Sequence, residues 1–263
     1  MTRIYATGLS GTIGKHLPNS VQKLKVNLSS DREIFYGIHF ESESNLIHLG
    51  GKVGPSEVLR DVDYARLINI RGTQFLAEEF TNKSKGIFYY ISTSHVYKPS
   101  TDLISESNAT EPVNIYAEQK LEAESLLHSI FKSSPKRLCI IRVFSVLDWD
   151  VSPNSLGGGI RKLTDANSNF VLSNASDIRD FLTPKDIASA LFEISSASTY
   201  FEIVNLCSSI GISVGDAAKR MLSESGFRVT EDKFSWGQSS NPFVVGDNSL
   251  LTSRHTNLKL FWR

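Results

Sequence analysis

The sequence is poor in cysteine and has no excess of charge of either sign. Its 263 residues include two cysteines, and the 28 Lys and Arg residues balance 28 Asp and Glu residues. A net charge of zero does not favour binding to nucleic acid or to an anionic membrane, because neither polyanion is attracted overall. Cys139 and Cys207 lie within apolar runs. We therefore expect buried thiols and neither a disulfide nor a metal site.

Long hydrophobic runs are also absent. No apolar stretch reaches the ~18 residues of a membrane span, and the first residues, MTRIYATGLSG, lack the basic flank and apolar core of a signal peptide. Hydrophobic residues make up 40% of the chain and charged residues 21%, as is typical of a folded globular protein. We therefore expect a cytoplasmic protein with no membrane partner.

Apolar runs of strand length alternate with amphipathic segments of helix length. Several runs are apolar throughout, as expected when helices cover both faces of a parallel sheet. The alternation predicts an α/β fold with a doubly wound parallel sheet. The predicted strands are 3–7, 23–28, 45–49, 86–92, 137–143 and 202–206, and the predicted helices are 12–18, 62–81, 115–131, 184–197 and 213–226.

The regular alternation weakens beyond about residue 150. Residues 151–159, VSPNSLGGG, are rich in Ser, Gly and Pro and are predicted to form a loop. We expect a main domain over 1–150, to which 183–206 returns, and a smaller lobe formed by 151–182 and 207–263.

Three glycines follow the first predicted strand at regular spacing. Gly8, Gly11 and Gly14 form a G-x-x-G-x-x-G pattern at the start of the first predicted helix. Gly8 would permit a tight turn, Gly11 would let the backbone approach a pyrophosphate, and Gly14 would let the helix pack closely on the strand. This position after a strand predicts a dinucleotide site.

Two other motifs match the same segment only in part. A P-loop would require a glycine in place of Leu9 and a Ser or Thr in place of His16. A hydrolase nucleophile elbow around Ser10 would require a glycine in place of Thr12. Dinucleotide binding is therefore favoured over both.

Tyr116 and Lys120 are four residues apart at the start of a predicted helix and so share one face. An ammonium close to a phenol favours the phenolate and lowers its pKa, which makes the tyrosine usable as an acid or base. Upstream, Ser92, Thr93 and Ser94 end a predicted strand, where ligands of a doubly wound sheet bind. A hydroxyl there could hold a substrate oxygen while Tyr116 exchanges its proton. The alternatives are a surface pair on the helix and a hydroxyl cap of the next turn.

Taken in order, the segments resemble the extended short-chain dehydrogenase/reductases, specifically the NAD-dependent epimerase/dehydratase family of nucleotide-sugar enzymes. The matching segments are TGLSGTIG (7–14), NLIHLGG (45–51), NIRGTQFLAE (69–78), YYISTSHVY (89–97), YAEQK (116–120), IIRVFS (140–145), RDFLTPKDIASAL (179–191) and FEIVNLCSSIGISVGDAAKRM (201–221). The resemblance implies a Rossmann domain with a small C-terminal substrate lobe, NAD or NADP as cofactor, and a nucleotide sugar as substrate.

The resemblance also implies roles for individual residues. Thr93 would bind the reacting oxygen, Tyr116 would be the acid/base, and Lys120 would lower the pKa of Tyr116 and bind the nicotinamide ribose. Cofactor contacts are implied for Gly8, Gly11, Thr12, Ile13, Gly14, Asn27, Leu28, Leu49, Gly50, Asn69, Lys120 and Phe144. Substrate contacts are implied for Thr93, Ser94, Ser145 and Arg179, with Arg179 at the nucleotide diphosphate, and no metal ligand is expected.

The sequence departs from the family pattern in two places. Only about 25 residues separate the glycine-loop helix from the strand at 45–49, where the family fits two strands and a helix. VNLSSD (26–31) resembles the end of the third strand, so the second strand is expected to be missing or short, and the choice between NAD and NADP stays open. Ser94-His95 stands where 4,6-dehydratases carry Asp-Glu, so dehydration is not expected.

These features favour a 4-keto-6-deoxyhexose reductase that transfers hydride at C4 of a nucleotide-activated hexose. A nucleotide-sugar 4-epimerase uses the same three catalytic residues and stays open. A regulator that binds NAD(P) without turnover is the alternative of a different class. Relatives often dimerise through the helices corresponding to 62–81 and 115–131, so the resemblance also implies a homodimer.

Overall fold

The computed structural model describes residues 2–147, 149, 156–166, 170–172, 174–224, 234–236, 243–258 and 260. The strands are β1 Ile4–Thr7, β2 Gln22–Lys23, β3 Asn45–His48, β4 Phe88–Thr93, β5 Leu138–Val143, β6 Ser145–Val146, β7 Phe170–Leu172, β8 Ile178–Leu182, β9 Ile203–Leu206, β10 Gly211–Ser213, β11 Phe234–Trp236 and β12 Phe243–Val244. The α-helices are α1 Arg32–Tyr36, α2 Pro55–Arg60, α3 Val62–Arg66, α4 Thr73–Lys83, α5 Ile115–Ile130, α6 Leu156–Ala166, α7 Pro184–Ser196, α8 Val214–Glu224 and α9 Ser249–Arg254.

A parallel sheet of six strands, in the order β2-β1-β3-β4-β5-β9, forms the centre of the fold. Alternate residues of each strand point to opposite faces. Ile4 and Ala6 of β1 pack in one core with Ile187 and Leu191 of α7. The other face of the sheet forms a second core with side chains of α1, α4 and α5. Helices thus cover both faces, and the predicted doubly wound sheet is confirmed.

The first connection, between β1 and β2, is much shorter than predicted. In place of a helix over 12–18, only Gly14–His16 forms a single 3-10 turn. Pro18 explains the early end, because the residue before a proline is driven out of the helical region, and Leu17 is extended with φ −66° and ψ 144°. The glycine loop is therefore followed by one turn of helix, with little of a helix dipole behind it.

The outer edge of the sheet is also contracted. The strand expected over 23–28 is reduced to Gln22–Lys23, which pairs directly with Tyr5 and Ala6 of β1. This is the place of the second strand in a doubly wound sheet. The second strand is thus severely shortened, as expected, and 26–31, which resembles the end of a third strand, forms no strand here.

A smaller group of strands packs beside the main sheet, with β10 antiparallel and β12 and β6 parallel to β8. Together with α6 and α8 it surrounds a separate core that includes Ile160, Phe181 and Leu222. The prediction of a loop over 151–159 was wrong for 156–159, which begin α6, while 151–155 lie outside the described residues. Gly157, Gly158 and Gly159 are buried there, because a helix without side chains on that turn can approach its neighbours closely.

The end of the chain returns to the main sheet. Leu251 of α9 and Leu260 are buried in the core that α7 covers. Cys139 and Cys207 are free and buried, as predicted. None of the helices within the described ranges is long and apolar enough to cross a membrane.

Candidate active site

The predicted catalytic residues lie at the carboxyl end of β4 and at the start of α5. Thr93 is the last residue of β4, and its hydroxyl oxygen accepts a hydrogen bond from the His95 amide at 3.3 Å. Helix α5 begins after Asn114, whose side-chain oxygen accepts from the Ala117 amide at 2.9 Å. An Asn in this capping position satisfies a free amide of the first turn. The cap fixes the helix start and thereby the position of Tyr116.

Tyr116 is buried, with 7% of its surface exposed. Its ring packs in a small apolar cluster with Val58 and Ala65. Burial raises its pKa above the ordinary value, because a phenolate is disfavoured away from water. Burial is the cause of this pKa shift, and the expected lowering by Lys120 stays a prediction. Tyr116 is held as the neutral phenol, which is the form that can donate a proton.

Lys120 lies one turn further along α5 and is buried. Its ammonium donates to the Ile91 carbonyl oxygen at 2.7 Å and lies 4.5 Å from the centre of the Tyr90 ring. Burial lowers its pKa to about 8, while the negative charge of Glu124 opposes that change. In this arrangement the ammonium is directed at the strand carbonyl, and no hydrogen bond of the described residues joins it to Tyr116.

A buried ion pair supports the same helix face and was missed at the sequence level. Glu124 accepts from Arg142 of β5, at 2.6 Å and 3.2 Å, and from the Ser92 hydroxyl at 2.5 Å. Arg142 lies beside Ser92 in the strand register and 4.6 Å from the Tyr97 ring centre. Tyr116, Lys120 and Glu124 are each four residues apart, and this spacing could have indicated that Glu124 lies on the same helix face as the two catalytic residues.

A cavity of about 600 Å³ lies at the carboxyl ends of β1 and β3, beside the glycine loop. Its walls include four of the predicted cofactor residues, namely Gly8, Asn27, Leu28 and Gly50. Gly8 has φ +69°, and a Cβ there would lie 2.9 Å from the Gly50 nitrogen. A Cβ on Gly14 would lie 2.2 Å from the Gly8 oxygen. The glycines are thus required for the tight loop, which leaves space suited to a dinucleotide.

The loop after β3 is held by side chains on neighbouring elements. The Thr7 hydroxyl oxygen accepts from the Gly50 amide at 2.9 Å and contacts the His48 ring nitrogen Nδ1 at 2.7 Å, while Nε2 contacts the Thr73 hydroxyl at 3.0 Å. Burial and the charge of Lys120 lower the pKa of His48 to about 3. His48 is therefore neutral and links β1, β3 and α4 below the cavity.

Other residues predicted to touch the cofactor take supporting positions. Asn69 lies in a π-helical turn, Leu67–Gly72; it accepts from the Lys52 amide at 2.8 Å and donates to the Gln119 side-chain oxygen at 2.9 Å. Wider π turns are frequent at functional sites. Leu49 packs against the core under α7, and Phe144 is buried in a cluster with Tyr97. Gly11, Thr12 and Ile13 form the turn between Gly8 and Gly14.

A second cavity, of about 120 Å³, lies next to the end of β4. Its walls include Ser94, His95 and Arg179, three residues from two elements. Arg179 donates to the Asp177 carboxylate at 2.5 Å. Burial and the charge of Arg179 lower the pKa of His95, so the wall keeps a fixed guanidinium beside a neutral imidazole. Ser145 begins β6, which pairs with Phe181 and Leu182 of β8 and so lies on the same side of the fold.

No cluster of His, Cys, Asp and Glu within the described ranges could hold a metal ion. Asp180, next to Arg179, has a different task. Its carboxylate accepts from the amides of Ser208 and Ser209 at 2.7 Å and 2.8 Å. It fixes the loop after β9, which completes the carboxyl edge of the sheet.

Comparison with known proteins agrees with this geometry. The chain is 28% identical over 232 residues to GDP-6-deoxy-D-mannose reductase of Pseudomonas aeruginosa, covering 78% of this chain and 74% of the relative. It is 25% identical to GDP-6-deoxy-D-talose 4-dehydrogenase of Aggregatibacter actinomycetemcomitans, covering 70% of this chain and 64% of the relative.

The fold also matches that of solved structures. RMD from Pseudomonas aeruginosa, complexed with NADPH, aligns with a TM-score of 0.82 and 23% identity over 96% of this chain and 92% of that chain. The Thermus thermophilus UDP-glucose 4-epimerase complex with NAD aligns with a TM-score of 0.79 and 16% identity over 99% and 95%. At these identities the likeness shows the fold.

The profile of the NAD dependent epimerase/dehydratase family matches residues 39–207, more than half of the chain. The match includes β4 and α5, which carry the candidate catalytic residues, and the neighbouring strands β3 and β5. The chain therefore belongs to the NAD dependent epimerase/dehydratase family of NAD(P)-dependent nucleotide-sugar enzymes.

Proposed function

We propose that the protein is an NAD(P)H-dependent reductase of the 4-keto group of a nucleotide-activated 6-deoxyhexose. One observation carries the proposal: a neutral, buried Tyr116 and the Thr93 hydroxyl lie at the edge of the sheet that also forms a glycine-lined cavity. The names of the two relatives, a 6-deoxy-D-mannose reductase and a 6-deoxy-D-talose 4-dehydrogenase, support a 6-deoxyhexose as substrate.

The three catalytic residues have separate tasks in this reaction. The Thr93 hydroxyl donates a hydrogen bond to the substrate C4 oxygen and places it beside Tyr116. NAD(P)H, when bound, would supply the hydride for C4. Tyr116 then gives its phenolic proton to the oxygen; burial raises the pKa of Tyr116 and so keeps that proton on the phenol before the transfer. Lys120 would bind the nicotinamide ribose and stabilise the phenolate that the transfer leaves.

The remaining site residues hold the two ligands. Cofactor contacts are proposed for the cavity-lining Gly8, Asn27, Leu28 and Gly50 and for the turn formed by Gly11, Thr12, Ile13 and Gly14. Leu49, Asn69 and Phe144 support the cofactor site through their packing and hydrogen bonds. Ser94, Ser145 and Arg179 are proposed to contact the substrate, with the Arg179 guanidinium at the diphosphate of the nucleotide.

We assign 1–150 and 183–206 to a Rossmann domain and 151–182 together with 207–246 to the substrate-binding lobe. The separate core around Ile160, Phe181 and Leu222 supports this division. The sequence assigned the residues after 246 to the lobe as well; packing of Leu251 and Leu260 on the main sheet supports assigning them to the Rossmann domain instead. Limited proteolysis should release fragments that end between these units.

We also propose that the chain forms a homodimer in the cytoplasm. The π turn and α5 pack side by side and carry three half-exposed apolar residues that a dimer would cover, namely Leu67, Ile70 and Leu126.

The location in the cytoplasm is supported by the two cysteines. Their free, buried thiols fit a reducing compartment. Light scattering on the purified protein should give twice the monomer mass, and cell fractionation should recover the protein with the cytoplasm.

The function is tested with a panel of nucleotide-activated 4-keto-6-deoxyhexoses and hexoses, each incubated with NADH or NADPH. The absorbance of the reduced nicotinamide is followed and the sugars are analysed. Loss of reduced nicotinamide in proportion to the 4-keto sugar reduced is the expected result. An isomerised sugar without net redox change would instead identify an epimerase. Dinucleotide binding without any turnover would identify a regulator.

A further inference from the structure

The cavity beside the glycine loop has a strongly positive wall. Lys23, Lys25 and Lys52 line it, and no Asp or Glu among the described residues does. The chain as a whole carries equal numbers of positive and negative side chains, so the excess is local. A cavity with three ammonium groups suits a ligand with more negative charge than a diphosphate alone.

Two of the lysines occupy a particular place in the fold. Lys23 is the last residue of β2, and the extended path continues because the Leu24 amide donates to the Ala6 carbonyl at 2.9 Å. Leu24 and Val26 pack against the core, and all four residues from Lys23 to Val26 line the cavity. Lys23 and Lys25 are both exposed, so their side chains are free to reach a ligand in the cavity.

In a doubly wound dinucleotide fold, residues just beyond the second strand face the adenosine ribose. A carboxylate there accepts from the 2′-hydroxyl of NAD, whereas a cation binds the 2′-phosphate of NADP. Here the second strand is β2, and it ends in Lys23 followed by Lys25. We propose that Lys23 and Lys25 form a 2′-phosphate site that makes the enzyme select NADPH over NADH, an inference that rests on the proposed dinucleotide site.

The third lysine is held differently. The Lys52 amide donates to Asn69, and the Lys52 ammonium lies 5.5 Å from the centre of the Tyr64 ring. Lys52 follows β3 on the other side of β1 from β2. Its charge raises the potential of the whole cavity for either dinucleotide, while Lys23 and Lys25 provide the discrimination.

Binding to the full-length protein tests the assignment without turnover. Titration calorimetry compares NADPH, NADH, 2′,5′-ADP and 5′-AMP on the wild type and on the K23Q/K25Q double variant. Loss of charge-assisted hydrogen bonds should weaken NADPH and 2′,5′-ADP by about 10- to 100-fold, with NADH and 5′-AMP changed by less than about threefold. K25E should weaken NADPH still further. NADPH binding should also fall more steeply with added salt than NADH binding.

K136Q is the matched control. Lys136 is also exposed, but it precedes β5 at the amino end of the sheet, away from the cavity. It should leave all four affinities unchanged. Equal affinity of the wild type for NADPH and NADH, or an equal loss of both in K23Q/K25Q, would overturn the 2′-phosphate site alone. Absence of binding by both dinucleotides would overturn the dinucleotide site itself and with it the proposed function.

Discussion

The two halves of the carboxyl edge are built in opposite ways. Around β4, β5 and α5, strands of six residues and a helix of 16 residues enclose an ion pair whose side chains are each 3% exposed. Around β1 and β2, a strand of two residues and a single helical turn leave an open cavity with exposed lysines. The catalytic half is pre-organised by burial, whereas the dinucleotide half depends on backbone shape and hydrated charge.

The difference between the two halves shows that strands and helices can be shortened around the dinucleotide site but not around the catalytic residues. Catalysis requires a phenol and a hydroxyl held in fixed positions, because small displacements reduce proton and hydride transfer sharply. An anion is held by charges and amides that act over longer distances, so the strand and helix around it can be reduced. The comparison predicts large effects from changes in the catalytic half and smaller, ligand-specific effects in the other.

The largest effect is expected for Tyr116→Phe. The Tyr116 hydroxyl makes no hydrogen bond among the described residues, so stability and dinucleotide affinity should be retained. Turnover should fall by about 10²–10⁴-fold, because proton transfer supplies about that much. Steady-state kinetics with calorimetry on the same preparations measures both. Unchanged turnover would remove Tyr116 from the chemistry.

Glu124→Gln should be the most destabilising of the charge changes. It leaves Arg142 buried without its counter-charge, which typically costs about 3–5 kcal/mol of unfolding free energy. Glu122→Gln breaks an equally bidentate pair with Arg66 whose side chains are 46% exposed. Such a pair contributes about 0–1 kcal/mol. Urea unfolding of both variants measures the difference, and equal costs would show that burial does not separate the two pairs.

Lys120→Met should change the pH dependence of stability. Burial lowers the pKa of Lys120 in the folded protein to about 8, below its ordinary value of 10.5, so the charged form is disfavoured on folding. The cost is complete below about pH 8 and disappears as pH rises towards 10.5, where the unfolded state also loses its proton.

Relative to the methionine variant, the wild type should therefore gain about 2–3 kcal/mol of unfolding free energy between neutral pH and about pH 10.5. Urea unfolding at both pH values gives the two differences. A difference that stays constant with pH would show that the Lys120 pKa is not depressed.

Gly11→Val should give the smallest effect, confined to the ligand. Gly11 is exposed, and a Cβ there meets only the Gly8 oxygen, at 3.1 Å, so the fold should survive. The added side chain would obstruct the pyrophosphate and weaken dinucleotide binding by about tenfold or more. Gly37→Val, at an exposed glycine whose nearest neighbour to a Cβ is 3.7 Å away, is the control. Equal dinucleotide affinities of the Gly11→Val and Gly37→Val variants would show that the pyrophosphate does not bind beside Gly11.

Local patterns were sufficient to predict the catalytic half. Apolar runs indicated β4 and β5, and the four-residue spacing of Tyr116 and Lys120 placed both on the buried face of α5. The pairing of Glu124 with Arg142 was not predictable in the same way, because it depends on the register that sets Arg142 beside Ser92. Nor was the raised pKa of Tyr116, which results from burial by residues of α2 and α3.

The contracted half was predicted only in outline. The short distance between the glycine loop and β3 indicated a missing strand, but pairing alone identifies which strand remains. Pro18 indicates in the sequence where the first helix ends. It forces Leu17 into an extended conformation, and the helix stops after one turn although the pattern of 12–18 is helical. The glycines of 157–159 suggested a loop because their packing partners lie far away in the sequence.

Isotope transfer tests the central claim most directly. The enzyme is incubated with a nucleotide-activated 4-keto-6-deoxyhexose and a reduced dinucleotide carrying deuterium at the transferable position, and the sugar product is analysed by mass spectrometry. The wild type should deliver one deuterium to C4, and Tyr116→Phe should deliver it at least about 100-fold more slowly. Deuterium that stays on the dinucleotide while the sugar is converted, or transfer at an equal rate in both proteins, would contradict the account.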